Sequence, residues 1–125
     1  MLQAVTPTVT SLIDAVSAGN TAAATSGNGK WLDVRAYEGD IIVVQQIGAV
    51  SGSITGKLQS ATDANGTGAA DITGATYTAV SSANNTQSIV VDPKKVAGGF
   101  IGYVGTIVTG PALTSITVVG QKKYV

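Results

Sequence analysis

Lys30–Tyr37, KWLDVRAY, the turn residues Glu38-Gly39-Asp40, and the run Ile41–Gln46, IIVVQQ, decide the fold class. In the first segment Leu32, Val34 and Ala36 alternate with Trp31, Asp33, Arg35 and Tyr37. A period of two is the signature of a half-exposed strand. The glycine-centred turn then hands the chain to a segment apolar enough to be a central strand.

The same pattern extends outward in both directions. Gly48 and Ser51-Gly52 mark a turn, and in Ser53–Ser60 the residues Ile54, Gly56 and Leu58 alternate with Thr55, Lys57 and Gln59. A polar loop from Ala61 to Asp71 leads to a predicted strand over Thr76–Val80. After a turn at Ser81–Asn85, strands are predicted over Gln87–Val91, Phe100–Val108 and Leu113–Gln121. Upstream, Leu2–Ser17 reads as one strand or an extended arm, and Asn20–Gly29, NTAAATSGNG, as a loop of small residues. The chain therefore divides into residues 1–29, an arm or first strand followed by that loop, and a domain over residues 30–125. Seven or eight short strands without a helical period predict a single antiparallel β-sandwich, jelly-roll or immunoglobulin-like. Short connections favour antiparallel pairing, because parallel crossovers need about a dozen residues or more.

Composition removes several function classes. The 125 residues contain no cysteine and no histidine, so disulfides, thiolate chemistry and histidine-based triads are excluded. Seven basic residues balance seven acidic ones, and charged residues are 11% of the chain, against an average of about 25%. Nucleic-acid binders need a clustered basic excess to neutralise phosphates, and none is visible. So uncharged a surface has little repulsion to keep it monomeric. Residues 96–121 are uncharged and long enough to span a bilayer. Their glycines, β-branched residues and Thr109-Gly110-Pro111 turn fit two strands better than one membrane helix.

Three motifs invite chemistry. Asp63-Ala64-Asn65-Gly66-Thr67-Gly68-Ala69-Ala70-Asp71 copies the first nine positions of a calcium loop, but Gly74 occupies the twelfth position, where a bidentate Glu is required. The loop therefore reads as a hairpin connection, with no metal and no cofactor expected. The glycines of Gly98–Gly105 lack the helix that a phosphate site needs; within a strand, Gly102 and Gly105 mark a bulge or close approach of another chain. Glu38 and Asp40, the closest carboxylates in sequence, flank a turn and are expected to face solvent. No SxxK spacing occurs. The chain is not expected to be an enzyme. Lys94-Lys95 and Lys122-Lys123 stand at strand ends, where charge discourages edge-to-edge aggregation. Of the six aromatics, most are expected in the core, with Tyr124 the one placed to touch a neighbour.

WLDVRAYEGDIIVVQQIGAV (31–50), GSITGKLQSATDANG, DITGATYTAV and the C-terminal SITVVGQKKYV together resemble small head proteins of tailed bacteriophages, over roughly residues 30–125. The resemblance implies a head decoration or cement protein: a β-rich domain on the outer surface of the capsid that clamps neighbouring major capsid subunits. The expected partners are then the major capsid protein and further copies of the chain, a trimer being favoured over a dimer, with no nucleic acid and no membrane. Chain ends are free to reach a neighbour, so the expected contact residues are Leu2, Val5, Pro7 and Val9 in the arm, and Lys122, Lys123, Tyr124 and Val125 in the tail. The competing reading is a carbohydrate-binding or adhesin module, also a β-sandwich, which would present exposed aromatics along a groove.

Overall fold

The structure, a computed structural model, describes residues 8–17, 23–26, 31–108 and 112–122. Side-chain surroundings are described for 9–10, 31–108 and 112–122. The strands are β1 (Thr8–Ser17), β2 (Ala23–Ser26), β3 (Leu32–Asp33), β4 (Ile41–Val50), β5 (Ser53–Ala61), β6 (Ala70–Thr76), β7 (Asn85–Val91), β8 (Phe100–Val108) and β9 (Ala112–Gly120). Two 3-10 turns, Pro93–Lys95 and Ala97–Gly99, separate β7 from β8. No described helix is long and apolar enough to cross a membrane. The uncharged stretch before Lys122 is the two strands β8 and β9.

The chain forms an antiparallel β-sandwich. A front sheet has the order β1-β9-β4-β7, and a back sheet β2-β8-β5-β6 with the short β3 also on β8. The pairs β1 with β9, β2 with β8, β4 with β7 and β5 with β6 are nested, first with last and inward. This is the wiring of a jelly roll, one long antiparallel hairpin rolled into two sheets. β4 lies between β9 and β7, the interior position expected from its apolar run.

Alternation supplies the core. Ile41, Val43, Gln45 and Ile47 of β4 point inward, as do Thr114, Ile116 and Val118 of β9, and all are buried. They meet Ile54 and Leu58 of β5 and Ile101, Tyr103 and Ile107 of β8. The core has two apolar clusters, a larger one around Ile41, Leu58 and Ile116 and a smaller one around Ile47, Ile54 and Ile107. Between them lies a polar layer. The Tyr103 hydroxyl donates to Gln45 Oε1 across the sandwich, and the Tyr77 hydroxyl donates to the Val43 carbonyl at 2.7 Å. Gly56 and Gly105 are cross-strand partners, and the Tyr103 ring lies over both, where a Cβ on either would meet it.

Three expectations are corrected. The strand predicted over Lys30–Tyr37 stops at Asp33, because Asp33 turns the chain. Its carboxylate accepts from the Arg35 backbone N–H at 3.0 Å and from the Arg35 guanidinium at 2.9 and 2.8 Å. The Tyr37 N–H then donates to the Val34 carbonyl. Val34 and Tyr37 are buried and Ala36 is exposed, a spacing of three instead of two. The strand predicted over Thr76–Val80 lies earlier, as β6, which ends at Thr76 paired with Lys57; beyond it Val80 keeps an isolated bridge, to Ile54. The small-residue loop contains β2, which rests on β8 through backbone pairing.

Trp31 covers the lower outer face of the back sheet. Its ring occupies the space a Cβ on Gly102 would take, and Gly66, at φ +80°, presses on it from the 62–69 loop. Gly66→Ala combines a left-handed backbone with a Cβ 2.6 Å from the indole nitrogen, and is expected to cost about 2 kcal/mol. As Trp31 is the sole tryptophan, its emission should shift to the red in the same variant. An unchanged spectrum and unfolding midpoint would show that the loop does not seal this ring.

Candidate interaction surfaces

The two poles of the sandwich differ in charge. β4, β8 and β1 begin, and β5, β7 and β9 end, at one pole, because Ala61 pairs with Phe100, Ile41 with Val91 and Thr8 with Gly120. Of the eleven charged side chains described, nine belong to its loops and strand ends: Asp33, Arg35, Glu38, Asp40, Asp63, Asp92, Lys94, Lys95 and Lys122. The other two, Lys57 and Asp71, pair with one another at 3.0 Å on the back sheet. At the opposite pole, Ser51-Gly52 and residues 77–84 carry no charge.

Tyr37 anchors the charged pole. Its ring is buried against Gly120 and Ile41, where a Cβ on Gly120 would strike it. The Glu38 N–H donates to the Gln121 carbonyl at 2.7 Å, and Tyr37 bridges to Lys122. The chain leaving β9 is thereby held beside the start of β1. Lys122 Nζ stands 6.0 Å from the Tyr37 ring centre, and the Arg35 guanidinium 5.2 Å from that of Phe100. The Arg35 guanidinium also holds the Asp33 carboxyl below its usual range, chiefly by hydrogen bonding. An open cleft of about 550 Å³ runs between this turn and the end of β7, lined by Arg35, Glu38, Asp40, Asp92 and Lys94. Glu38 and Asp40 are exposed on either side of Gly39, at φ +73°, as expected of a turn. With both charge signs interspersed and no histidine, the cleft suits ion pairing with another protein surface better than proton transfer.

The calcium-like segment uses its oxygens internally. Asp63 Oδ1 accepts from the N–H groups of Asn65 (2.9 Å) and Thr67 (3.2 Å). Hydrogen bonds from Thr67 and then Asn65 hold its pKa below the ordinary carboxylate value. Asp71 accepts from Gln59 at 2.8 Å and Lys57 at 3.2 Å, contacts that likewise hold its carboxyl low. Among the described residues no group of three or more His, Cys, Asp or Glu side chains is placed to hold a metal.

Of the expected contact residues, Val9 is exposed on β1 and Lys122 is exposed beside Tyr37. Leu2, Val5, Pro7, Lys123, Tyr124 and Val125 lie outside the described residues. The pairing of Thr8 with Gly120 brings the start of β1 and the end of β9 to the same pole. Sequence reading missed the Asp33–Arg35 turn, the clustering of charge and the cleft; only the Glu-Gly-Asp and Asp-Pro-Lys-Lys turns hinted at them.

The outer faces also differ. The back sheet presents Lys57, Gln59 and Asp71 and is partly covered by Trp31. On the front sheet, β4, β7 and β9 contain no charged residue at all, and Val9, Ile42, Val90 and Leu113 are exposed. The sequence matches no protein-family model and no curated protein.

Proposed function

We propose that this protein is a virion structural component that decorates the outside of an icosahedral phage capsid, bridging major capsid subunits and so stabilising the shell. The observation that carries the reading is the convergence of the start of β1 and the exit of β9 with nine charged side chains at one pole of an otherwise weakly charged sandwich. Residues 1–7 and 123–125 join the described fold at that pole, beside charges that can set register in a contact with a neighbour. Each contact is weak, and repetition over many copies supplies the strength. The jelly roll is common to viral capsid and lectin domains, so architecture alone does not choose between cement and carbohydrate binding. The aromatics favour the first. Tyr37, Tyr77 and Tyr103 are buried, and Trp31 is spent against Gly102 and Gly66. Phe100 is half-buried with the Arg35 guanidinium over its ring, so none of the described aromatics is left as an open stacking platform.

The test uses capsids assembled with and without the protein. Bare capsids should break at lower temperature, and added protein should restore them. A chain lacking residues 1–7 keeps all of β1 and should bind at least tenfold more weakly, a difference of about 1.4 kcal/mol. Bare capsids that are equally robust and never recruit the purified protein would rule the cement role out, and the carbohydrate-binding reading would take its place.

A further inference from the structure

The front sheet carries a row of β-branched residues across all four of its strands. Val9 pairs with Val119, Val119 with Ile42, and Ile42 with Val90. All four lie on the outer face, with exposures of 66% for Val9, 41% for Ile42 and 61% for Val90. Above this row Thr117 pairs with Val44 and Val44 with Ser88; above that, Ser115 pairs with Gln46 and Gln46 with Thr86. At the far end Leu113, 42% exposed, stands beside Gly48, with its Cβ 3.5 Å from where a Gly48 Cβ would be. An antiparallel sheet with a solvated face normally alternates apolar inside with polar outside. β4 breaks that rule, with Ile42 and Val44 outward as well as Ile41 and Val43 inward.

We propose that a second copy of this chain covers this face, related by a two-fold axis that runs parallel to the strands between β9 and β4. Such an axis reverses the strand order, laying β1 over the partner's β7 and β9 over the partner's β4. Along the apolar row, Val9 then meets the partner subunit's Val90, and Val119 meets the partner subunit's Ile42. Thr117 meets the partner subunit's Val44, and at the far end Leu113 fills the hollow over the partner subunit's Gly48. β4, β7 and β9 carry no charged residue and so set no like charge against themselves in this arrangement, whereas a charged partner surface would bury its ions unpaired. Four strands about 4.8 Å apart and nine residues long at about 3.4 Å each give about 600 Å² of flat area per copy. The pair then buries about 1,200 Å², above the roughly 1,000 Å² a specific interface needs. Aligned packing of two sheets, at about −30°, is the ordinary way to bury such faces. The contact is isologous and closes at two copies, so the geometry favours a dimer over the trimer expected from sequence.

This pairing deepens the proposed function and rests on it only for its setting: the axis parallel to the strands turns both charged poles toward the same side. Sedimentation equilibrium of the purified chain at about 50 µM should give twice the monomer mass of 12.4 kDa. Val90→Lys, on the edge strand β7, and Leu113→Lys, at the opposite end of the face, should each give monomers with unchanged far-UV circular dichroism. Glu38→Lys at the charged pole should leave the mass unaltered. A monomeric or trimeric wild type, or a dimer that survives both substitutions, would overturn the proposal. So would a monomer whose capsid binding is lost on Val90→Lys, since the capsid would then be the occupant. A dimer that dissociates as expected but never binds capsids would support the pairing and sink the cement reading.

Discussion

Alanine in place of Gly56 is expected to destabilise the protein by about 3 kcal/mol, the sum of overpacking and of a buried acceptor left without its donor. The Cβ would point into the polar layer of the core, against the Tyr103 hydroxyl and Gln45 Oε1. Tyr103 has nowhere to retreat, because its ring already lies against Gly105 on the neighbouring strand. It must leave its seat, and its hydrogen bond to Gln45 goes with it. Gln45 is fully buried and its Nε2 has no protein partner, so losing the bond strips the amide of its one side-chain contact. Domains are stable by about 5–15 kcal/mol, so the variant should melt about 10 °C lower. Gly74→Ala is the comparison: its Cβ meets nothing within 4 Å, and only the left-handed backbone at φ +79° is strained. That strain costs about 1 kcal/mol. Equal urea midpoints for the two variants would show that the polar layer yields freely.

The second large effect is alkaline. Burial pushes the Tyr77 and Tyr103 phenols far above the ordinary tyrosine value, with each other's proximity adding to the rise at Tyr77. Their rings stand 6.0 Å apart and both are 2–3% exposed. A folded pKa raised above the unfolded one means that the protonated, folded state is favoured. The stability this represents is complete below about pH 10, where the unfolded tyrosine titrates, and falls as pH rises toward the folded value. Each phenol contributes a slope of about 1.4 kcal/mol per pH unit above pH 10. By pH 12 the pair should remove about 5 kcal/mol. With no histidine, nothing comparable titrates between about pH 5 and 8. Denaturant midpoints should therefore be flat across neutrality and fall steeply above pH 10. The double variant Tyr77→Phe, Tyr103→Phe should start lower at neutral pH, through lost hydrogen bonds, and decline less. An undiminished alkaline slope in that variant would place the titration elsewhere.

Legibility followed the kind of force that holds each element. β5, β8 and β9 could be read from sequence because side-chain burial dictates their alternation and glycine or proline bounds them. β2, Ala-Ala-Thr-Ser, could not, since small side chains leave no apolar pattern and its place depends on backbone pairing with β8. Leu32–Tyr37 alternates in sequence, yet one carboxylate at Asp33, bonded two residues ahead to Arg35, outweighs that pattern. β6 overlaps the polar stretch read as a loop to Asp71, and its alternation is broken by Gly74, which sits inside the strand at positive φ where the register with β5 slips. The charged pole required the topology before residues from 33 to 122 could be seen as neighbours. The apolar row on the front sheet is one further step removed, because Val9, Ile42, Val90 and Val119 are united by cross-strand register alone.

The nested pairing has a consequence for how the protein is made. β9 is made after the other described strands and is the one that fills the gap between β1 and β4. Until it arrives, β1 has no partner in the front sheet, and its eventual neighbour lies about a hundred residues downstream. Closure of the front sheet thus waits for β9 and depends on contacts distant in sequence, the kind of topology that folds in about milliseconds to seconds. A chain cut short before Ala112 would leave the edges of both β1 and β4 unpaired, the condition that promotes aggregation. β9 is thus the closing element of the front sheet: a chain without it keeps β4 and β7 paired but cannot join β1 to them.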